Sequence, residues 1–424
     1  MIINPVTQLK GEISVPGDKS ISHRAIMFGA LAQGKSTIYN FLQGDDCLST
    51  IRCFRQLGVN ITVNNDIVEV EGNGLNGLKP SKEILDVGNS GTTLRLMTGI
   101  LAAQPFDSTV TGDESIQKRP MGRIIKPLSQ MGANINSINE NGCAPLKIQG
   151  QQLNGVTYES PVSSAQVKSS ILLAGLYAKG DTTVIEPAQS RNHTEIMLEY
   201  FEGSITTKEL KTTVKPAKNL SSREITVPGD ISSAAFIITA ALIVPNSSVL
   251  IKNVGINPTR NGILEIYKKM NANIKVLNQR TVNGEPVADI LAESSLLKGI
   301  TIEGDIIPNI IDELPIISVA ATFAKGQTII KDAEELKVKE SNRIDAMVNN
   351  LSKMKGDIIA TSDGMIINGV TNLEGASVES YHDHRIAMSC AIAGLMAISP
   401  TTINGSDCIG ISYPNFYDDL QKLI

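Results

Sequence analysis

One short segment occurs twice, and the distance between its copies limits the possible folds more than any other feature. Glu12-Ile-Ser-Val-Pro-Gly-Asp18 returns as Glu224-Ile-Thr-Val-Pro-Gly-Asp230, an offset of 212 residues in a chain of 424. The likeness continues beyond the turn, where Lys35-Ser-Thr-Ile38 falls on Ser247-Ser-Val-Leu250. Two halves of one design follow, and each half divides again. Helices rich in Ala, Gly and Ser are predicted at 22–32, 92–102, 165–178, 232–243, 315–324 and 385–397. Each runs through a turn into a β-branched strand, such as Ser108-Thr-Val110 or Thr401-Thr-Ile403. With almost no charge, such helices must be buried on most sides. A second helix in most units ends in a shared signature, seen in Leu57-Gly-Val-Asn-Ile61, Met131-Gly-Ala-Asn-Ile135, Met270-Asn-Ala-Asn-Ile274 and Met354-Lys-Gly-Asp-Ile358. Gly or Asn there suits a left-handed helix end.

The pattern predicts an α/β protein of six βαβαββ-like units, three per domain, with central helices covered by sheets. The last unit stops at Ile424 without a full set of strands, and the strand Glu12–Val15 is expected to complete it. One domain is then discontinuous, 1–17 plus 229–424, and the other is 18–228. The two Val-Pro-Gly-Asp crossings would serve as a hinge. A chain of this length suits two cores rather than one.

A net charge of −5 argues against nucleic acid or an anionic membrane as partner, so the basic motifs point to small anions. Cys47, Cys53, Cys143, Cys390 and Cys408 are odd in number and lack CxxC spacing, which reads as free thiols in a reducing cytoplasm. The longest apolar runs, such as Ala240–Val244, are far too short to span a bilayer, and no signal peptide is read at the N-terminus.

The chemistry concentrates where strands feed helices. Val15-Pro-Gly-Asp-Lys-Ser-Ile-Ser-His-Arg24 sets Lys19, Ser20, Ser22 and Arg24 at a helix start, where free N–H groups and the helix dipole favour an oxyanion. Asp86-Val-Gly-Asn-Ser-Gly-Thr-Thr-Leu-Arg95 repeats that geometry, and Arg95 on an apolar helix wants an anion. Lys118-Arg119-Pro120 sets cations at another start. Ser163-Ser-Ala-Gln-Val-Lys168 and Ser190-Arg-Asn-His-Thr-Glu195 can contact a phosphate or a polyhydroxyl ring, or simply cap their helices. Asp312-Glu313 before Leu314-Pro315 reads either as a cap or as a general base. Lys337-Val-Lys-Glu-Ser-Asn-Arg343 is expected to leave a strand and start a helix, and His382-Asp-His-Arg385 opens the sixth apolar helix. No metal is expected, because no third ligand cluster accompanies those histidines. Gly29-Ala-Leu-Ala-Gln-Gly-Lys-Ser36 fits a phosphate-loop pattern but lies between a helix and a following strand, the reverse of what that loop needs.

Along nearly its whole length the chain resembles the 5-enolpyruvylshikimate-3-phosphate synthase family. Gly17-Asp-Lys-Ser-Ile-Ser-His-Arg24, Gly88-Asn-Ser-Gly-Thr-Thr-Leu-Arg95, Lys118-Arg-Pro-Met-Gly122, Ser164-Ala-Gln166, Lys339-Glu-Ser-Asn-Arg343 and Asp383-His-Arg-Ile-Ala-Met388 carry the resemblance. It implies a two-domain inside-out α/β barrel of six βαβαββ repeats. It also implies transfer of the enolpyruvyl group of phosphoenolpyruvate to shikimate 3-phosphate, in aromatic amino acid biosynthesis, by a cytoplasmic monomer without cofactor. By the same resemblance Lys19 would bridge both substrates and act in catalysis. Ser20, Arg24, Ser163, Ser164, Gln166 and Arg191 would hold shikimate 3-phosphate. Asn89, Gly91, Arg119, Gln166, Arg343 and Arg385 would hold phosphoenolpyruvate. Asp312 and Lys339 would meet the shikimate hydroxyls, with Asp312 as base and Glu340 protonating the methylene carbon. Ser164–Lys168, Ser190–Glu195 and Asn253-Val-Gly-Ile-Asn-Pro-Thr-Arg260 resemble the subgroup described as less sensitive to glyphosate. Many members carry a lysine where this chain reads Ile411, in Gly410-Ile-Ser-Tyr-Pro414. The competing readings are a UDP-sugar enolpyruvyl transferase of the same fold, whose reactive loop cysteine is missing from 112–121, and a binding module with a decayed site.

Overall fold

A computed structural model describes residues 1–424. The chain divides into two compact units, Met1–Pro16 with Pro228–Ile424, and Gly17–Val227. Six sheets surround six apolar helices, five sheets having four strands and one having three. The central helices are α1 (Lys19–Leu31), α2 (Gly91–Leu101) and α3 (Ala165–Gly175) in one unit. Their counterparts are α4 (Ile231–Ile243), α5 (Leu314–Thr322) and α6 (His384–Leu395) in the other. Every residue of α4, α5 and α6 is buried. Side chains cap five of the six starts: Asp18, Ser90, Ser164, Asp230 and Asp383 each accept a backbone N–H of the first turn. The fifth, α5, begins at Glu313 with no side-chain cap and with Pro315 in its first turn.

In four repeats, the strand before the central helix pairs in parallel with the strand after it, as in Leu85–Asp86 with Ser108–Thr111. The first and fourth repeats exchange those strands. Strand β1 (Lys10–Ser14) leads into α1, whose following strand is β2 (Gln33–Tyr39). Strand β3 (Glu224–Thr226) leads into α4, whose following strand is β4 (Ser248–Gly255). Yet β1 pairs with β4, and β3 pairs with β2. This corrects the expectation that Glu12–Val15 completes the last repeat. The register sets Ile13 against Ile251, both buried, so β1 must stay on the α4 sheet to keep its apolar face covered. The last sheet is closed instead by Ile2–Ile3, antiparallel to Thr401–Asn404.

The left-handed helix ends fall at Gly58, Gly132 and Asn271, but in the fifth repeat the position is Lys355 rather than the glycine after it. The segment before Arg343 is a 3-10 turn, Glu334–Val338, not a strand. Gly34 lies in β2, directly after α1, so the phosphate-loop pattern is a helix-to-strand turn. No helix is long and apolar enough to cross a membrane.

Close packing of α2 on α3 depends on Gly99. A Cβ there would sit 2.1 Å from the Ser170 carbonyl oxygen and 2.9 Å from its carbon. Alanine would gain about 1 kcal/mol of helix propensity, but it would force two backbones apart, and overpacking of this kind costs about 1–3 kcal/mol. Because the obstacle is backbone rather than a movable side chain, Gly99→Ala is expected to lower the denaturation midpoint in urea. An unchanged or raised midpoint would show that the helices separate freely.

Candidate active site

Within the unit Gly17–Val227, the starts of α1, α2 and α3 are joined by polar side chains. Lys19, on the first turn of α1, reaches Asp46 Oδ2 at 3.1 Å. One turn on, the buried Arg24 donates from Nε to Thr194 Oγ1 at 2.7 Å, from Nη2 to Ser169 Oγ at 2.8 Å, and from Nη1 to the Ser20 carbonyl at 2.9 Å. Arg191 Nη1 donates to Ser20 Oγ at 3.5 Å. His23 Nδ1 shares a 2.7 Å hydrogen bond with Thr50 Oγ1, which shares another of 2.7 Å with Thr93 Oγ1. Thr93 then donates to Ser90, the cap of α2. Burial lowers the His23 pKa well below its usual value, and Lys19 and Arg24 push the same way, so this ring is a neutral link.

A second group gathers over the start of α2. Arg119 donates from Nη2 to Asn89 Oδ1 at 2.8 Å and to Ser115 Oγ at 3.1 Å. Arg95 Nη1 donates to Gln166 Oε1, and Gln166 Nε2 to Thr92 Oγ1 at 2.9 Å. Gly91 lies beneath both guanidiniums. A Cβ there would come within 3.3 Å of Arg119 Nη1 and 3.7 Å of Arg95 Nη1. Two cations and the free end of a helix thus face one spot that only glycine leaves open. Ser164 caps α3. Ser163 is committed elsewhere, donating to the Ala188 carbonyl at 2.9 Å and accepting its N–H at 3.1 Å. Lys168, 3% exposed, lies between Glu186 at 2.8 Å and Glu195 at 2.6 Å, so it ties α3 to the helix His193–Tyr200.

In the other unit the organising group is Arg343, 1% exposed at the start of the helix Arg343–Lys353. Its three nitrogens reach three carboxylates: Nε to Asp383 Oδ2 at 2.8 Å, Nη1 to Asp312 Oδ1 at 3.3 Å, and Nη2 to Glu340 Oε2 at 2.6 Å. Burial works against the charge, but Asp383, Glu340 and Asp312 overcome it and hold the guanidinium above its ordinary pKa. Asp383 also accepts the Arg385 N–H at 2.9 Å and the Ser341 hydroxyl at 3.0 Å. It follows Tyr381 and His382, two non-glycine residues in the left-handed region with φ of 54° and 57°. Arg385 Nη1 donates to the Asp312 carbonyl at 3.0 Å. Lys339 turns to Glu335 at 3.3 Å. The turn Ser406–Ile411 contains no Lys or Arg.

Asp312, Glu340, Arg343 and Arg385 are therefore brought together, as are Asn89, Gly91, Arg119 and Gln166, and Lys19, Ser20, Arg24 and Arg191. The sequence reading missed Asp46, Asp230, Arg260 and Asp383 as members of these groups. Their partners lie far along the chain, so no local pattern marked them. Burial pushes the Cys53 and Cys390 thiols up to about 12, so neither is an activated nucleophile.

Comparison with known proteins places the chain in a family. Residues 3–420 match the family model for EPSP synthase (3-phosphoshikimate 1-carboxyvinyltransferase). A 3-phosphoshikimate 1-carboxyvinyltransferase of Thermoanaerobacter sp. (strain X514) is 56% identical over 415 residues, 98% of either chain. One of Brevibacillus brevis is 55% identical over 421 residues, 99% of either chain. Among solved structures, EPSP synthase from Acinetobacter baumannii matches with a TM-score of 0.90 and 46% identity, covering 100% of this chain and 97% of that one. This chain belongs to the EPSP synthase family.

Proposed function

We propose that this chain transfers the enolpyruvyl group of phosphoenolpyruvate to the 5-hydroxyl of shikimate 3-phosphate and releases phosphate. The observation that carries the reading is Arg343, which holds Asp312 on one nitrogen and Glu340 on another. The reaction needs one proton acceptor and one donor. The acceptor hydroxyl attacks only as its proton leaves, and the enol carbon becomes electrophilic only as its methylene gains a proton. Asp312 accepts the hydroxyl proton, and Glu340 delivers a proton to the methylene. The C–O bond then forms, giving a tetrahedral adduct. Return of the methylene proton to the protein and departure of phosphate restore the double bond.

Binding falls to the cationic groups. Arg119, Asn89, Gly91 and Gln166 lie at the open start of α2 and suit phosphoenolpyruvate, and Arg343 and Arg385 of the other unit are assigned to the same ligand. Ser20, Arg24, Ser163, Ser164, Gln166 and Arg191 take shikimate 3-phosphate, with Lys339 and Asp312 on its hydroxyls. Ser163 would have to exchange its Ala188 bonds for ligand. Lys19 bridges the substrates. No cofactor enters these steps. Five thiols without a disulfide suit a reducing cytoplasm, and one chain supplies every group named, so a monomer suffices.

Purified protein given both substrates is expected to release phosphate only when shikimate 3-phosphate is present. Release with a UDP-sugar acceptor instead, or none with shikimate 3-phosphate, would contradict the proposal.

Lys19→Met removes the cation proposed to pair with both substrates, and losing one partner of a desolvated ion pair with a ligand typically costs about 2–5 kcal/mol of binding. It is expected to weaken phosphoenolpyruvate binding more than about tenfold with folding intact, and unchanged kinetics would remove Lys19 from the site. Asp312→Ala and Glu340→Ala should each lose kcat by about 10²–10⁴-fold, the range for a general acid or base. Glu340→Ala should also slow exchange of the phosphoenolpyruvate methylene hydrogens with solvent deuterium. Normal exchange would move the donor role to Lys19.

A further inference from the structure

The turn Asn257-Pro-Thr-Arg260 takes no part in the reaction described above, yet several hydrogen bonds fix it. Asn257 Nδ2 donates to Glu285 Oε2 at 2.8 Å. Asn257 Oδ1 accepts both the Thr259 N–H at 2.9 Å and the Thr259 hydroxyl at 2.8 Å. The Arg260 N–H closes the turn on the Asn257 carbonyl at 2.8 Å, and Asn309 Nδ2 holds the Pro258 carbonyl at 2.8 Å. A backbone determined at so many points delivers the Arg260 side chain in one place.

That place is beside Asp312. Arg260 is 3% exposed. Its Nη2 donates to Ser232 Oγ at 2.7 Å and to Asp230 Oδ1 at 3.2 Å, and its Nη1 lies 3.8 Å from Asp312 Oδ2. Ser232 in turn donates to Glu313 Oε1. The two oxygens of Asp312 are thus in different surroundings. Oδ1 accepts from Arg343 at 3.3 Å. Oδ2 lies between Arg260 at 3.8 Å and Arg385 Nη2 at 3.9 Å, both beyond hydrogen-bond distance. A guanidinium at that range stabilises the ionised carboxylate through space.

We propose that Arg260 is a positioning residue for the transfer, holding Asp312 ionised and its Oδ2 aimed at the acceptor hydroxyl. The inference rests on Asp312 as the base of the proposed reaction. The charged groups facing Asp312 are Arg260, Arg343, Arg385 and its neighbour Glu313, with Glu340 and Asp383 behind Arg343 and Asp230 behind Arg260. Removing a cation from this set disfavours the ionised carboxylate, so the pKa of Asp312 rises and the acid limb of the kcat profile moves to higher pH. Lysine keeps the charge but has no fork to span Asp230 and Asp312.

The test compares kcat and KM against pH for the wild type, Arg260→Gln and Arg260→Lys. Arg260→Gln is expected to shift the acid limb upward by about one pH unit. Arg260→Lys should hold the limb near its wild-type position and lose about tenfold in kcat, with a smaller change in KM for phosphoenolpyruvate. Loss of packing alone would lower thermal stability without moving the limb. Should Arg260→Gln fail to fold, the kcat of Arg260→Lys decides the matter. An unmoved limb in Arg260→Gln, or wild-type kcat in Arg260→Lys, overturns the assignment. A wild type that releases no phosphate contradicts the proposed reaction instead.

Discussion

The contact on which one unit depends is the guanidinium of Arg343 against three carboxylates. A cation 1% exposed would be costly without partners, and here Asp383 meets Nε and Nη2, Asp312 meets Nη1 and Glu340 meets Nη2. Asp383 is the fixed member. It is fully buried, caps α6 and lies in a turn entered through two left-handed residues. The other two are part-exposed and can reach a ligand. A planar fork with fixed angles therefore converts one rigid anchor into a defined separation between two carboxylates, which an ammonium could not do.

The guanidiniums at the candidate site are partnered differently in the two units, and this suits different tasks. In the unit Gly17–Val227 the hydrogen bonds of Arg119 go to Asn89 and Ser115, and those described for Arg24 go to two hydroxyls and a carbonyl. Neutral partners orient a cation without cancelling its charge, so an arriving phosphate or carboxylate meets most of it. In the other unit Arg343, Arg385 and Arg260 lie among Asp230, Asp312, Glu313, Glu340 and Asp383. Cations so compensated can fix carboxylates for proton transfer, and Arg343 and Arg385 are at the same time the proposed phosphoenolpyruvate ligands of this unit.

Much of this was legible in the sequence. The six central helices stand out because their Ala, Gly and Ser content lets helices pack closely, as Gly99 against Ser170 shows. Capping at the start of α3 was legible, since the serines there stand where a turn opens a helix, whereas Asp18 and Ser90 were not singled out as the caps of α1 and α2. The strand exchange was not. Glu12–Val15 and Glu224–Val227 have nearly the same residues, so local pattern cannot say which sheet each one joins, and only the distant pairing of Ile13 with Ile251 decides. The same limit hid Arg260 and Asp383, whose partners Asp312 and Arg343 are far along the chain. Lys168 looked like a ligand group at a helix start, but two glutamates from distant segments claim it.

The most direct test of the central claim is Arg343→Lys, assayed in deuterated solvent with both substrates. A single group that places both Asp312 and Glu340 should, when its fork is lost, impair both proton steps at once. Turnover and deuterium entry into the phosphoenolpyruvate methylene are therefore expected to fall together, each by about 10²-fold or more, in a protein whose fold is retained. Loss of turnover with wild-type deuterium entry would show that Glu340 is placed without Arg343 and would contradict the account.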